Sequence, residues 1–119
     1  MPTRSNERLC ELAQAGDTAA RDILLENNLG FIRKIALEQY RRMGMDENDI
    51  GIIDVDDLVQ EGSIGLLNAI PLFDAGRGMK FLTYAAPAIR NAMTDCIRAA
   101  LGLFEQRMVD KKDGPGFQR

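Results

Sequence analysis

Apolar residues recur at intervals of three and four along almost the whole chain, which is the spacing of helices that bury one face. No stretch alternates apolar and polar residues for long enough to indicate a β-strand. The pattern therefore predicts an all-α chain of about five helices.

Capping residues set the expected limits of the first two helices. Ser5 precedes the first helix as its cap, and Gly16 follows it as a natural stop. Asp17 is expected to cap the second helix, which runs to about Asn27. The residues expected to face inward are Leu9, Leu12, Ala13, Ala20, Ile23 and Leu24.

The third helix is expected to begin at Leu29, with Asn28 as its cap, and to end near Gly44. Its apolar stripe consists of Phe31, Ile32, Ile35, Ala36, Tyr40 and Met43. The glycines and acidic residues of the following segment, MGMDENDIGIID, predict a loop.

The fourth helix is expected to start after its cap, Asp54, and to bend or end at Pro71, which has no amide proton. Gly62 and Gly65 lie on or near its inward face, where the missing side chain lets another helix approach closely. The other inward residues are Leu58, Leu66, Ala69, Ile70 and Phe73.

The fifth helix is expected to start around Thr83 or Pro87 and to run to about Met108. Its core stripe consists of Ile89, Met93, Cys96, Ile97, Ala100 and Phe104. We expect a helical domain over residues 1–108 and a flexible tail over 109–119, because Gly-Pro-Gly cannot sustain a helix. The tail ends without a cap, which suggests a domain cut from a longer protein.

The residue types present exclude most enzymatic mechanisms. The chain has no histidine, and therefore neither the commonest general base nor a Cys/His or Ser/His nucleophile pair. Cys10 and Cys96 lie far apart at apolar helical positions, as expected of reduced core thiols. Phosphate-binding motifs are absent, and no apolar run approaches the roughly 20 residues of a membrane span. The chain is expected to be a cytoplasmic binding protein without a cofactor.

The net charge of −3 hides a strong asymmetry. Residues 46–61 hold seven acids and no base, whereas residues 77–98 hold four bases and one acid. The acidic run is typical of a solvated loop or a helix start, and the basic run of an ordinary or a phosphate-binding surface. A carboxylate metal site is the one enzymatic alternative, but no third inward ligand accompanies Asp57 and Glu61.

One polar stripe of the fifth helix combines guanidinium, amide and hydroxyl groups, which read phosphates and base edges. Its members are Arg90, Asn91, Thr94 and Arg98. Before this stripe, Phe81 and Tyr84 either pack into the core or present a stacking platform for unpaired bases.

Three segments in order resemble the second conserved region of bacterial RNA polymerase sigma factors of the sigma-70 type: NLGFIRKIALEQY, DVDDLVQEGSIGLLNAIPLFD and GRGMKFLTYAAPAIRNAMTDCIR. The resemblance covers roughly Asp22 to Arg98, and DLVQEGSIGLLNA is its most specific part. It implies a compact helical bundle that docks on the clamp helices of the largest subunit of core RNA polymerase. It also implies recognition and melting of the promoter minus-ten element, with capture of non-template-strand bases. An anti-sigma factor is a further partner that the resemblance allows.

The resemblance implies two binding surfaces. The polymerase-binding candidates, which would meet a basic coiled coil, are Asp57, Gln60, Glu61, Ser63 and Leu67. The DNA-binding candidates are Arg77, Lys80, Phe81, Thr83, Tyr84, Arg90, Asn91, Thr94 and Arg98. Among them, Phe81, Thr83 and Tyr84 would stack on or pocket flipped bases. Arg77 and Lys80 would hold phosphates, and the stripe from Arg90 would face the duplex edge.

The chain departs from the family pattern within the DNA-binding segment. Pro87 and Ala88 stand where housekeeping members carry paired tryptophans, and Met79 stands where they carry a tyrosine. Asp95 and Cys96 replace basic residues, which weakens the attraction for phosphate. Two hypotheses follow. The chain is an alternative or mobile-element sigma factor that captures bases, or it is a polymerase-binding regulator or adaptor that has lost promoter melting.

Overall fold

The computed structural model describes residues 4–44 and 53–113, with side chains as far as Gly102. Its helices are α1 (Asn6–Gln14), α2 (Thr18–Asn27), α3 (Leu29–Arg42), α4 (Val55–Ala69) and α5 (Phe81–Asp113). Two single 3₁₀ turns, Ile70–Leu72 and Ala75–Arg77, connect α4 to α5. The predicted all-α fold of about five helices is confirmed. Most of the predicted loop MGMDENDIGIID lies outside the described residues.

Two of the predicted caps form as expected. The Ser5 hydroxyl accepts a hydrogen bond from the Arg8 amide at 3.0 Å, and the Asp17 carboxylate accepts one from the Ala20 amide at 3.0 Å. Between the two helices, Gly16 adopts a φ of 101°, a left-handed conformation that favours glycine. Local chemistry therefore determines where α1 ends and α2 begins.

Asn28 occupies the N-cap position of α3, as predicted, but its side chain does not act as the cap. Its side chain is buried and makes no capping bond. Its amide group donates instead to the Leu24 carbonyl at 2.7 Å and to the Asn6 side chain at 2.9 Å. Burial favours these partners, because each satisfies a polar atom that water cannot reach. Asn28 therefore closes α2 and ties it to α1.

The prediction that Ile23 faces inward is wrong, since its side chain is 42% exposed. The buried residues of α2 are Ala20 and Leu24, one turn apart, and Leu25 is half-buried beside them. The inward face of this short helix is thus rotated toward Leu25, which leaves Ile23 at the surface.

The core forms where α4 packs along α5, the most extensive helix pair of the described chain. A Cβ atom on Gly65 would lie 2.7 Å from the Ala88 carbonyl oxygen, well inside van der Waals contact. One on Gly62 would meet the side chains of Met93 and Ile32. The predicted role of both glycines in close helix approach is confirmed. The largest fully buried residues are Tyr40, Phe81, Leu9, Leu24, Ile32, Leu58, Leu66, Ile89, Met93 and Cys10.

Helix α1 braces the connection between α4 and α5. The Gln14 side-chain amide donates to the carbonyls of Ile70 and Phe73, each at 2.8 Å. The Glu7 carboxylate accepts from the amide of Phe81, the first residue of α5, at 2.7 Å. Lys80, which precedes the helix, has no acceptor in its side chain. A carboxylate from α1 therefore caps the start of α5.

Helix α5 begins earlier than predicted, at Phe81, and so contains Pro87. The proline removes the amide that would bond to the Thr83 carbonyl, so the helix loses one interior hydrogen bond. At the other end the helix continues past Met108 to Asp113. The rest of the expected tail, 114–119, and the side chain of Phe104 lie outside the described residues. In the described part of the chain, no helix has both the length and the apolar character needed to cross a bilayer.

Candidate functional site

The exposed face of α4 starts at a capping box. The Asp54 carboxylate accepts from the Asp57 amide at 2.8 Å, and the Asp57 carboxylate accepts from the Asp54 amide at 3.1 Å. The predicted cap is confirmed. Asp57 remains exposed, so its negative charge still faces solvent while one of its oxygens stabilises the helix start.

An acidic and apolar stripe continues along α4 from this cap. Gln60 is exposed and Glu61 is half-buried. One turn further lies Ile64, which is 50% exposed, and Leu67 is half-buried beyond it. Helical spacing places Ile64 between these side chains on one face. We name Asp57, Gln60, Glu61, Ile64 and Leu67 the α4 stripe.

Two further residues lie near the α4 stripe. The Ser63 hydroxyl donates to the Val59 carbonyl at 2.7 Å, so its hydrogen is already used within the helix. Cys96, on α5, is half-buried rather than part of the core. Burial raises the pKa of its thiol, and the charges of Glu61 and Asp57 raise it further. The Cys96 thiol therefore lies within the field of the acidic residues.

A row of three aromatic rings leads from the core to the surface near the start of α5. The Phe81 ring is fully buried and meets the Phe73 ring edge-on, with 5.4 Å between centroids. The Phe73 ring lies 5.6 Å from that of Tyr84, which is half-buried. The expectation that Phe81 stacks on a base is therefore wrong, since the core occupies its surface. The Phe81 ring instead packs against Phe73, which in turn contacts the ring of Tyr84.

Two cavities adjoin Tyr84. Both are bordered by Leu72, Met79 and Tyr84, and the first two side chains are 72% and 47% exposed. The arginine cavity, of about 400 Å³, is completed by Phe73, Asp74 and Arg77. The asparagine cavity, of about 540 Å³, is completed by Asn68, Ala69, Thr83, Pro87, Ala88 and Asn91. Both volumes lie within the range of small-molecule sites.

Cationic side chains surround this region. Lys80, Arg90 and Arg98 are exposed, and none of them forms an ion pair with another described residue. The Arg77 guanidinium lies 3.8 Å from the Asp74 carboxylate in an exposed pair. Of the other candidates, Thr83 and Asn91 are exposed and Thr94 is half-buried. Among the DNA-binding candidates, the residues that border the two cavities are Arg77, Thr83, Tyr84 and Asn91. Lys80 and Arg90 are sequence neighbours of bordering residues, and Thr94 and Arg98 continue the polar stripe of α5 beyond Asn91.

The residues described provide no metal centre. Within them, no group of three or more His, Cys, Asp or Glu side chains is arranged to hold a metal ion. Asp57 and Glu61 share a face of α4, but two carboxylates on one solvated helix do not form a cage for a hard cation.

Sequence reasoning missed two residues of the site. Ile64 follows Gln60 by one helical turn and therefore lies outside the buried stripe of α4. An apolar residue at such a position was the signal that could have identified it. Glu7 carried no local signal, because the amide that it caps lies 74 residues away. Only the packing of α1 against the start of α5 identifies its role.

Comparison with known proteins identifies the family. A family model described as Sigma-70 region 2 matches residues 24–101. The RNA polymerase sigma-28 factor of Bacillus thuringiensis subsp. kurstaki is 38% identical over 81 residues, which cover 68% of this chain and 30% of that protein. The RNA polymerase sigma-C factor of Myxococcus xanthus is 36% identical over 91 residues, which cover 76% and 28%.

A third relative, the RNA polymerase sigma-K factor of Bacillus subtilis (strain 168), is 34% identical over 106 residues, covering 84% of this chain and 33% of that protein. The chain therefore spans about a third of the length of these curated relatives. Since the family model matches more than half of its residues, the chain belongs to the Sigma-70 region 2 family.

Proposed function

We propose that this chain is a sigma-factor domain that binds core RNA polymerase and captures unpaired bases of the minus-ten element. The observation that carries the proposal is the position of Tyr84, whose ring borders two cavities beside exposed, unpaired cations. Helix α4, by contrast, carries no basic residue and exposes Asp56, Asp57 and Ile64. One domain thus offers separate surfaces for a nucleic acid and for a protein. It would act in the cytoplasm with the polymerase.

The mechanism is capture, and no covalent bond changes. Transient opening of the duplex exposes a base, which stacks on Tyr84 and enters an adjoining cavity. Stacking of one base on an aromatic side chain contributes roughly 1–3 kcal/mol, which offsets an unstacking term of similar size. Lys80 and Arg77 hold phosphates, and Arg90 and Asn91 face the edge of the remaining duplex.

Replacing Tyr84 by alanine should weaken binding to single-stranded minus-ten DNA about tenfold, because the stacking surface is lost. Lys80→Ala should weaken it less and reduce its salt dependence by about one phosphate contact. Fluorescence anisotropy with a labelled oligonucleotide at two salt concentrations measures both effects. Lys34→Ala, which removes an exposed cation from α3, is the matched control and should behave like the unmodified chain. If neither Tyr84→Ala nor Lys80→Ala changes binding at low salt, this surface does not capture bases.

The α4 stripe has the composition of a small protein interface. Ile64 provides an exposed apolar centre, and Gln60 and Glu61 provide a polar and charged rim. Charged rims increase the rate of association with a partner of opposite charge. A basic helical coiled coil of the polymerase clamp fits this surface.

Glu61→Lys should reduce binding to a clamp-helix fragment of the polymerase at least tenfold at low salt, because attraction becomes repulsion. Glu61 is a better probe than Asp57, since Asp57 also closes the capping box and its loss would destabilise α4 by about 1 kcal/mol. The control is Glu26→Lys, the same charge change on the exposed face of α2. Equal loss of binding in both variants would mean that net charge, and not the α4 stripe, governs docking.

The adaptor hypothesis makes a different pair of predictions. An adaptor would dock on the clamp-helix fragment in a manner sensitive to Glu61 and would show no binding to single-stranded DNA that depends on Tyr84. The combination of the two titrations therefore separates the two functions, and absence of both activities would contradict each of them.

A further inference from the structure

A groove lies where the pair of helices α1 and α2 meets the end of α4, and its volume is about 540 Å³. It is bordered by Ala13 and Gln14 of α1, Arg21 of α2, Leu67 of α4 and Pro71 of the following turn. We name it the α1–α4 groove. The residues from α1 and α2 precede residue 24, where the family match begins. The matched segment alone therefore does not form this groove.

Most of the surface of the α1–α4 groove is apolar. Ala13 and Leu67 are half-buried at its border, and Ile70 and Phe73, which also border it, are buried. The Gln14 side-chain amide donates to the carbonyls of Ile70 and Phe73, each at 2.8 Å, so these walls are held in place by α1. A preformed apolar recess of this kind accepts an anchoring apolar side chain from a protein partner.

Arg21 gives the groove a charge opposite to that of the α4 stripe. Among the described residues that border the groove, it is the only charged one, and its side chain is exposed. It forms no ion pair with another described residue. A guanidinium binds a carboxylate through two parallel hydrogen bonds. An acidic side chain is therefore the group that fits this edge of the groove.

The α1–α4 groove is continuous with the α4 stripe, because Leu67 belongs to both. The stripe has negative charge at Asp57 and Glu61 and an apolar centre at Ile64. At 1.5 Å per residue, α4 rises about 15 Å from Asp57 to Leu67. A partner that lies along α4 therefore meets acidic residues at one end and Arg21 at the other.

We propose that the α1–α4 groove receives an apolar side chain and a neighbouring carboxylate from the same polymerase helix that docks on the α4 stripe. The proposal rests on the proposed function, since it requires docking on the polymerase clamp. The partner helix would carry basic residues opposite Asp57 and Glu61 and an acidic residue roughly ten positions away, opposite Arg21. This pattern fixes the direction of the partner helix, because the reversed helix would place like charges together.

Charge reversal at Arg21 tests the proposal. The probe is a fluorescein-labelled clamp-helix fragment of the polymerase, titrated at low salt. Arg21→Glu should weaken its binding about tenfold, because an attractive ion pair becomes repulsive. If Arg21 contributed only to net charge, the same substitution would strengthen attraction to a basic fragment. The sign of the change therefore separates a specific contact from a general field. Lys34→Glu, a matched reversal on the exposed face of α3, should not weaken binding.

A charge swap identifies the partner's carboxylate. Each acidic residue of the fragment is replaced in turn by lysine. One of these fragments should bind the unmodified chain weakly and the Arg21→Glu chain nearly as tightly as the original pair. Ala13→Trp, which fills the apolar part of the groove, should also weaken binding of the original fragment. Ala19→Trp places the same ring at an exposed position of α2 and should not.

The outcomes separate this inference from the docking on which it rests. Unchanged or tighter binding of Arg21→Glu, or the lack of any rescued lysine fragment, would overturn the inference, and a loss of binding in Glu61→Lys would still support docking. Failure of the unmodified chain to bind the fragment would overturn both. Arg21 is exposed near the start of α2, where a negative charge is favourable, so the decisive variant should fold even if Ala13→Trp does not.

Discussion

Replacing Gly65 by alanine should lower the free energy of unfolding by about 2 kcal/mol. The new Cβ atom would lie 2.7 Å from the Ala88 carbonyl oxygen and 3.1 Å from the Ile89 Cα atom. These are backbone atoms, so no change of rotamer relieves the overlap, and α4 and α5 must separate. The strain exceeds the gain of about 1 kcal/mol in helix propensity from replacing glycine. Urea titrations followed by far-ultraviolet circular dichroism measure the change.

The matched control for this substitution is Gly30→Ala. Gly30 lies within α3, is exposed, and has open space where its Cβ atom would stand. At Gly30 the substitution changes only the helix propensity and causes no overlap, so this variant should be more stable than the unmodified chain by about 0.5–1 kcal/mol. Opposite signs for the two glycines are the expected result. Equal effects would show that the close approach at Gly65 does not limit how the helices pack.

Raising the pH from about 9 to 11 should lower the free energy of unfolding by about 2 kcal/mol through the single thiol of Cys10. Burial, reinforced by the charges of Glu7 and Glu11, raises the pKa of this thiol from the ordinary 9.0 to about 11. Below the lower value the thiol is protonated in both states. Between the two values the unfolded chain releases its proton and the folded chain retains it, so unfolding becomes easier as the pH rises.

The pH dependence of a Cys10→Ala variant isolates this contribution, because tyrosine and lysine ionisation persists in it. The difference between the two unfolding free energies should be constant up to about pH 8, and the advantage of the unmodified chain should then shrink by about 1 kcal/mol by pH 10. Parallel curves through pH 11 would contradict the assignment. Cys96 remains in both proteins and cancels from the comparison.

Predictions from sequence were accurate wherever the determining contact is local. The caps at Ser5, Asp17 and Asp54 each bind an amide three residues ahead, so the printed sequence already contains both partners. Helical spacing alone likewise places Asp57 and Glu61 on one face of α4. The role of Gly65 also followed, because only a missing side chain permits such a close approach.

Predictions failed where a distant element decides between alternatives. Asn28 has the chemistry of a cap, but Asn6 and Leu24 offer its side chain buried partners. Phe81 has the chemistry of a stacking platform, but the ring of Phe73 covers it. The two cavities around Tyr84 have no signal in the sequence, because they arise from how α5 packs against α4 and against the connection between the two helices.

The bracing of the α4–α5 connection by α1 has a consequence for binding strength. Gln14 holds one end of this connection and Glu7 holds the other, so its backbone is ordered before any strand of DNA arrives. When one residue of backbone becomes ordered only on association, the loss of conformational entropy opposes binding by roughly 1–2 kcal/mol. Here the connection is already ordered in the folded domain, so this entropy is lost on folding and not on binding. The residues that would touch DNA lie within the family match at 24–101, whereas the residues that hold them ready lie before it. Under the proposed function, affinity for DNA would therefore be a property of the whole domain and not of the matched segment alone.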